Sequence, residues 1–203
     1  MSSLIKTLST KPWLTGEDIS GVPVDTAAFG LPRQKVGLRV FFAVATALFL
    51  LFIVSYRMRM YYEDWVPLQE PLLLWFNTGI LVLASVFMQR AKVLAADEQA
   101  STGAWFMAGG VAALAFIVLQ LVIWQQLAAA GHFVSSNPSS SFYYLITAVH
   151  GVHMLGGVVA WGLALMRGTG DWERYRMSVD LCTVYWHYLL VVWLVLFYLL
   201  LTT

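Results

Sequence analysis

Charge and cysteine are both scarce in this sequence. Of its 203 residues, 11% are charged and 60% are hydrophobic, whereas soluble domains have about 25% charged and about 45–50% apolar residues. The composition therefore indicates a membrane protein. A single cysteine, Cys182, excludes an intrachain disulfide and an all-cysteine metal site. The net charge of +1 comes without a basic run, so no nucleic-acid partner is expected.

Carboxylates are missing from the apolar stretches. All 11 acidic residues lie in the N-terminal arm, in connecting segments or at helix edges, and Glu70 is the nearest to hydrocarbon. Proton pumps and ion transporters usually place a carboxylate inside the membrane. The sequence also lacks the paired broken helices of inverted-repeat transporters. A proton path through this chain alone and a small transporter are therefore both disfavoured.

Long apolar stretches are what the sequence does contain. A transmembrane helix needs about 20 predominantly apolar residues, and five stretches meet this need, at about 37–56, 71–89, 104–127, 142–166 and 181–201. We predict an all-α membrane protein, with a bundle of five transmembrane helices over residues 36–203. Residues 1–35 form a polar arm whose glycines and prolines leave no room for a long helix. Its first 18 residues lack the apolar core of a signal peptide, so we expect the N-terminus to be retained.

Basic residues predict the orientation of the bundle. Five alternating spans place ten of the 12 lysines and arginines on the side of the N-terminus and two on the other side. The ten are Lys6, Lys11, Arg33, Lys35, Arg39, Arg90, Lys92, Arg167, Arg174 and Arg176, and the two are Arg57 and Arg59. The positive-inside rule then predicts a cytoplasmic N-terminus and a periplasmic C-terminus.

Three histidines lie within the last two spans. His150 and His153 share a face of the fourth span because they are three residues apart, and His187 lies in the fifth. Ionisable residues within membrane spans mark a functional site or a buried contact. One interpretation is haem ligation by His153 and His187, since imidazole is a common axial ligand. The other, which we favour, is that all three imidazoles bond to neighbouring helices or lipid headgroups.

Small and amphipathic residues predict how the helices pack. Gly156, Ala160 and Ala164 recur every four residues, as in stripes that admit a neighbouring helix, and Gly151 and Gly157 widen this face. Asn77 predicts an interhelical hydrogen bond in the second span. Trp186 fits an interfacial aromatic belt. We expect the deeper Trp75 and Trp193 to pack in the interior or against acyl chains.

Three separated motifs resemble one family. HGVHMLGG at 150–157 is similar to the HGxHVxxG signature of subunit III of the haem–copper terminal oxidases, the cytochrome c oxidase group. LWFNTGILVLASVFMQRA at 74–91 resembles the second helix of the five-helix form of that family, and YWHYLLVVWLVLFYLL at 185–200 resembles its terminal segment. The resemblance covers about residues 37–201. One departure is that 40–54, in the first span, lacks the glutamate that the family often has there.

This resemblance implies an accessory subunit of a proton-translocating cytochrome c oxidase or quinol oxidase in a bacterial inner membrane. Such a chain has no catalytic residue, metal or haem of its own, and it packs on subunit I, binds phospholipid and supports proton uptake and active-site stability. Haems and copper are expected in the partners, which include subunit II, with room for a small subunit IV and a respiratory supercomplex. The residues expected to make structural or lipid contacts are His150, His153, His187, Trp75, Trp186, Trp193, Asn77 and Glu70.

Two alternatives stay open. The subunit-III-like proteins of nitric oxide reductases share these motifs and have about five helices. A haem b membrane anchor of a quinol oxidoreductase belongs to a different class, and would use His153 and His187 as ligands. The sequence specifies neither the electron donor, cytochrome c or quinol, nor the haem types of the partner.

Overall fold

A computed structural model describes residues 33–67, 71–167 and 170–202. Over these ranges the chain forms five helices and no strand. The helices are α1 (Arg33–Arg59), α2 (Leu72–Ala96), α3 (Thr102–Ala129), α4 (Pro138–Arg167) and α5 (Trp172–Leu201). All five are long and apolar enough to cross a membrane. The predicted all-α fold with five membrane-spanning helices is therefore confirmed.

Each helix is longer than its predicted span. The helices α4 and α5 have 30 residues each, which corresponds to about 45 Å at 1.5 Å per residue, whereas the hydrocarbon core is about 30 Å thick. The helices α1, α2 and α5 continue past charged residues beside their predicted spans, whereas α3 and the start of α4 are extended by uncharged residues. Apart from its last residues, which belong to α1, the predicted arm lies outside the described residues, and so does Glu70.

Local sequence explains where the helices begin and end. Asn137 accepts a hydrogen bond from the backbone N–H of Ser140 at 2.9 Å, just before α4, and Asp171 accepts one from the N–H of Arg174 at the start of α5. Both are preferred N-cap residue types. After α3, Gly131 adopts φ +87°, a conformation that costs glycine little. The chain thus turns immediately and enters α4 in the opposite direction.

The chain divides into two compact units, residues 1–39 and residues 40–203. Of the first unit, the start of α1 is described. In the second, α2 packs against α3 and α5, and α4 packs against α5 and α3. From residue 40 onward α1 contacts the other helices through aromatic rings; Phe42 stacks on Tyr188 with ring centroids 4.2 Å apart, and Tyr56 meets Phe142 edge to face at 5.6 Å.

Candidate functional site

His187 joins α5 to α2. Its Nδ1 is hydrogen-bonded to the hydroxyl of Ser85, and its Nε2 lies 3.0 Å from the amide oxygen of Gln89. Because an amide oxygen only accepts, Nε2 carries the proton and Nδ1 accepts from Ser85. Both ring nitrogens are thus hydrogen-bonded to α2, and the imidazole links α5 to α2.

His153 faces a different neighbour. Its Nδ1–H donates to the carbonyl of Val149 at 2.8 Å, and its ring packs against Phe41 and Phe49 of α1 at centroid distances of 5.7 and 5.3 Å. The backbone carbonyl of His153 also accepts the hydroxyl of Tyr185 at 2.8 Å. His153 therefore packs on α1 while His187 bonds to α2, and the contacts do not direct the two imidazoles at a common ligand.

His150 is completely buried in an aromatic cage. Its ring centroid lies 5.1 Å from that of Trp193, 6.1 Å from that of Phe116 and 6.3 Å from that of Phe49. Neither ring nitrogen has a hydrogen-bond partner among the described residues. The interhelical contact of His150 is therefore made by ring packing, whereas His187 makes its contact by hydrogen bonds.

Asn77 begins a buried chain of hydrogen bonds through three helices. Its Nδ2 donates to Oε1 of Gln120 in α3 at 2.9 Å, and Nε2 of Gln120 donates to the hydroxyl of Tyr143 in α4 at 3.1 Å. Neither Gln120 nor Tyr143 was predicted from the sequence as a partner in this chain of hydrogen bonds. The signal for Gln120 was its position as an amide inside the long third apolar stretch, where an unpaired polar group is costly.

The three tryptophans that the sequence singles out differ in burial. Trp193 is fully buried, and its Nε1–H donates to the hydroxyl of Thr78 at 3.0 Å. Trp186 is also buried, rather than exposed at an interface. Trp75 is 56% exposed and meets Phe197 edge to face at 4.8 Å, so it lies at the rim of the bundle. A fourth tryptophan, Trp161, was not predicted from the sequence to make a contact. Its Nε1–H donates from α4 to the carbonyl of Phe106 in α3 at 2.9 Å.

Among the glycines that the structure describes, Gly157 and Gly110 leave the least room for a side chain. A Cβ on Gly157 would lie 2.7 Å from ring atoms of Trp186 and Tyr185, and one on Gly110 would lie 1.9 Å from Trp161. In the predicted stripe, Ala164 is buried, but Gly156 and Ala160 are exposed. Nothing lies within 4 Å of where a Cβ would stand on Gly151.

A geometric reason explains this pattern. Steps of four residues turn about 40° around a helix of 3.6 residues per turn, so three such positions drift off one contact face. Steps of seven drift by only about 20°. His150, Gly157 and Ala164 are seven apart, and all three are buried in the structure. The face of α4 that packs within this chain therefore follows the seven-residue spacing.

An ion pair joins the C-terminal part of α2 to the N-terminal part of α5. Nζ of Lys92 lies 2.7 Å from a carboxylate oxygen of Asp180. Lys92 contributes to the predicted orientation, but its pairing with Asp180 was not predicted from the sequence. Over the ranges that the structure describes, no three His, Cys, Asp or Glu side chains are grouped in a way that could hold a metal ion. The polar groups instead hold the helices to one another.

Together, the fold and these contacts define a multi-pass helical membrane protein whose intramembrane polar side chains connect its helices. Residues 58–202 match the family described as cytochrome c oxidase subunit III. The chain therefore belongs to this family, and it is a multi-pass bacterial membrane protein.

Individual relatives agree with this assignment. A protein named "Probable cytochrome c oxidase subunit 3" from Mycobacterium tuberculosis is 28% identical over 122 residues, which are 58% of this chain and 60% of the relative. The chain thus matches less than two thirds of that relative's length. Proteins named "Cytochrome c oxidase subunit 3" from Synechocystis and Thermostichus vulcanus are 27% and 26% identical. The alignments cover 81% and 89% of this chain and 73% and 92% of those relatives.

Proposed function

We propose that this chain is the accessory subunit III of a respiratory haem–copper oxidase and carries no haem, metal or catalytic residue of its own. It packs on the catalytic subunit I, holds phospholipid and supports proton uptake and active-site stability while the complex reduces oxygen. Family membership supports the assignment to an oxidase. The accessory role is supported above all by His187, because both of its ring nitrogens are hydrogen-bonded to side chains of α2 and neither is left for a haem.

The same geometry argues against the haem b anchor. Axial ligation would need a free nitrogen on both His153 and His187, but His187 offers none without breaking its bonds to Ser85 and Gln89. His153 packs its ring against Phe41 and Phe49 of α1. Two imidazoles that face different helices do not make a bis-histidine site.

Exposed surface supports packing on a larger partner. Gly156 and Ala160 form a thin strip on α4, beside exposed Val152 and Val159. Small residues at a membrane-facing surface allow another helix to approach closely. We assign this strip to contact with subunit I, with lipid covering the remaining apolar surface.

Purification of the tagged chain from its native membranes tests the assignment. We expect it to bring down a catalytic subunit that contains haem and copper and that reduces oxygen. A complex that reduces nitric oxide instead would favour the nitric oxide reductase alternative. Recovery with a quinol oxidoreductase lacking a haem–copper subunit would contradict the proposal.

A further inference from the structure

His150 and Asn77 are buried polar side chains whose hydrogen bonds are incomplete. Both residues are fully buried, and neither the ring nitrogens of His150 nor Oδ1 of Asn77 have a hydrogen-bond partner among the described residues. Burial of a polar group without a partner costs free energy and is rare in folded proteins. These atoms therefore indicate a partner other than the side chains that the structure describes.

The rings around His150 cannot supply this partner. An imidazole buried among apolar rings is neutral, with one N–H donor and one acceptor nitrogen. Phe49 and Phe116 carry no N–H or O–H group, and the N–H of Trp193 already donates to the hydroxyl of Thr78 at 3.0 Å. The acceptor nitrogen of His150 therefore needs a donor from outside the three rings.

Two sets of contacts connect Asn77 to the same aromatic cage. Trp193 packs on His150 with ring centroids 5.1 Å apart, and its N–H bonds to Thr78, which directly follows Asn77 in α2. Phe116 packs edge to face against His150, and it lies one turn of α3 from the amide to which Asn77 donates. The unpartnered atoms of His150 and Asn77 therefore belong to one packed group of side chains.

We propose that the interior of the bundle binds water that hydrogen-bonds to the imidazole of His150 and to Oδ1 of Asn77. Water both donates and accepts, and buried waters typically make about three hydrogen bonds to groups that otherwise lack a partner. Because both residues are fully buried, a ligand at this position has to be small. The proposal goes beyond the proposed function, since it names a ligand inside this chain alone and does not depend on which complex the chain joins.

Water-edited solid-state NMR of the full-length chain in lipid bilayers tests this site. The histidine and tryptophan nitrogens would be isotope-labelled, and the signals of His150 and Trp161 would be assigned by their loss in His150→Phe and Trp161→Phe. We expect magnetisation to pass rapidly from water protons to the imidazole of His150. The N–H of Trp161 is also buried but donates to a backbone carbonyl, so it is the dry reference and should receive magnetisation slowly.

A pair of variants tests the contact with α2. Asn77→Leu removes the acceptor oxygen and should slow the transfer to His150 about fivefold, the factor that one lost hydrogen bond typically gives. Ser85→Ala is the matched control, because it removes a hydroxyl of the same helix that bonds to His187 instead. In this control the transfer to His150 should be unchanged.

A map of the native complex that resolves ordered water tests the site without any substitution. We expect water within hydrogen-bond distance of a ring nitrogen of His150 and of Oδ1 of Asn77. This measurement decides the question even if Asn77→Leu does not fold.

Three results would overturn the proposal. They are transfer to His150 no faster than transfer to Trp161, equal effects of Asn77→Leu and Ser85→Ala, and a map in which the ring nitrogens of His150 bond only to protein atoms. None of these results bears on the assignment to an oxidase, which purification of the complex tests separately.

Discussion

Gly157 is the residue on which the spacing of α4 and α5 depends. The neighbours that a Cβ would meet are the buried ring of Trp186 and the ring of Tyr185, whose hydroxyl is bonded to the carbonyl of His153. Neither ring can move without losing other contacts. Overpacking of this kind typically costs about 1–3 kcal/mol.

The first prediction therefore concerns Gly157→Ala. We expect it to lower the free energy of unfolding by about 1–3 kcal/mol, as measured by denaturant titration of the chain in detergent micelles. Gly151→Ala, on the same helix, is the matched control because nothing lies near its added methyl group. It should be neutral or stabilising, since alanine favours a helix over glycine by up to about 1 kcal/mol. Equal losses in both variants would contradict the account of the contact.

The second prediction concerns the hydrogen bond between Asn77 and Gln120. Interhelical hydrogen bonds in membranes have coupling energies of about 0.6 kcal/mol on average and up to about 1.7 kcal/mol. A double-mutant cycle with Asn77→Leu and Gln120→Leu should give a coupling in this range. The same cycle with the exposed Gln126 in place of Gln120 should give none. No coupling in either cycle would show that the amides do not interact.

Residue contacts of this kind were only partly predictable. Asn77 stood out as an amide in an apolar span, and the requirement for a partner follows from that alone. Its partner Gln120 could not be chosen, because which faces of α2 and α3 meet depends on packing of the whole bundle. For the same reason, the stripe of small residues predicted that α4 packs closely on a neighbour, but not which face of α4 does so. No feature of the local sequence indicated the close contact of Gly110 with Trp161.

At the scale of helices, the end of α1 carries a salt bridge that the sequence analysis did not predict. Nη1 of Arg59 donates to a carboxylate oxygen of Asp64 at 2.7 Å, and Nη2 donates to the other. This hydrogen bonding lowers the pKa of Asp64 below its ordinary value. The guanidinium also lies over the ring of Tyr62, 4.8 Å from its centroid. Together these contacts fold the chain back just after the helix ends.

The third prediction follows from the lowered pKa of Asp64. A carboxyl group with a lower pKa in the folded state contributes stability above its unfolded pKa of about 3.9, and loses that contribution as the pH falls through the folded value. An NMR titration of the Asp64 carboxyl should therefore give a midpoint below 3.9, and Arg59→Gln should raise it. Arg57→Gln, which removes an arginine from the same end of α1, should leave it nearly unchanged. An equal rise in both variants would mean that the effect is not that of this salt bridge.

Helix number and order were predictable because the bilayer imposes a minimum apolar length on each span. Helix ends were less predictable, since charged residues at 90–96 and at 172–180 continue the helices beyond the hydrocarbon, where water and headgroups solvate them. The pairing of Lys92 with Asp180 shows how two such extensions meet.

At the scale of the whole molecule, the distribution of basic residues predicts one orientation. Ten lysines and arginines on the N-terminal side against two on the other should hold the N-terminus in the cytoplasm. The fourth prediction is that alkaline phosphatase fused to Thr203 is active, whereas the same enzyme fused after Asp97, in the α2–α3 connection, is inactive. The reverse pattern would contradict the orientation, whereas activity of both fusions, or of neither, would contradict the odd number of spans between them.

The central claim is that this chain packs on the catalytic subunit of a redox complex and supports its activity, and that it binds no haem itself. The most direct test is a reduced-minus-oxidised visible spectrum of the purified full-length chain, together with haem extraction and quantification per chain. We predict no haem b band and a haem content far below one per chain, because both ring nitrogens of His187 are bonded to α2 and His153 packs against α1. One haem b per chain, lost when His187 is replaced by alanine, would contradict the account.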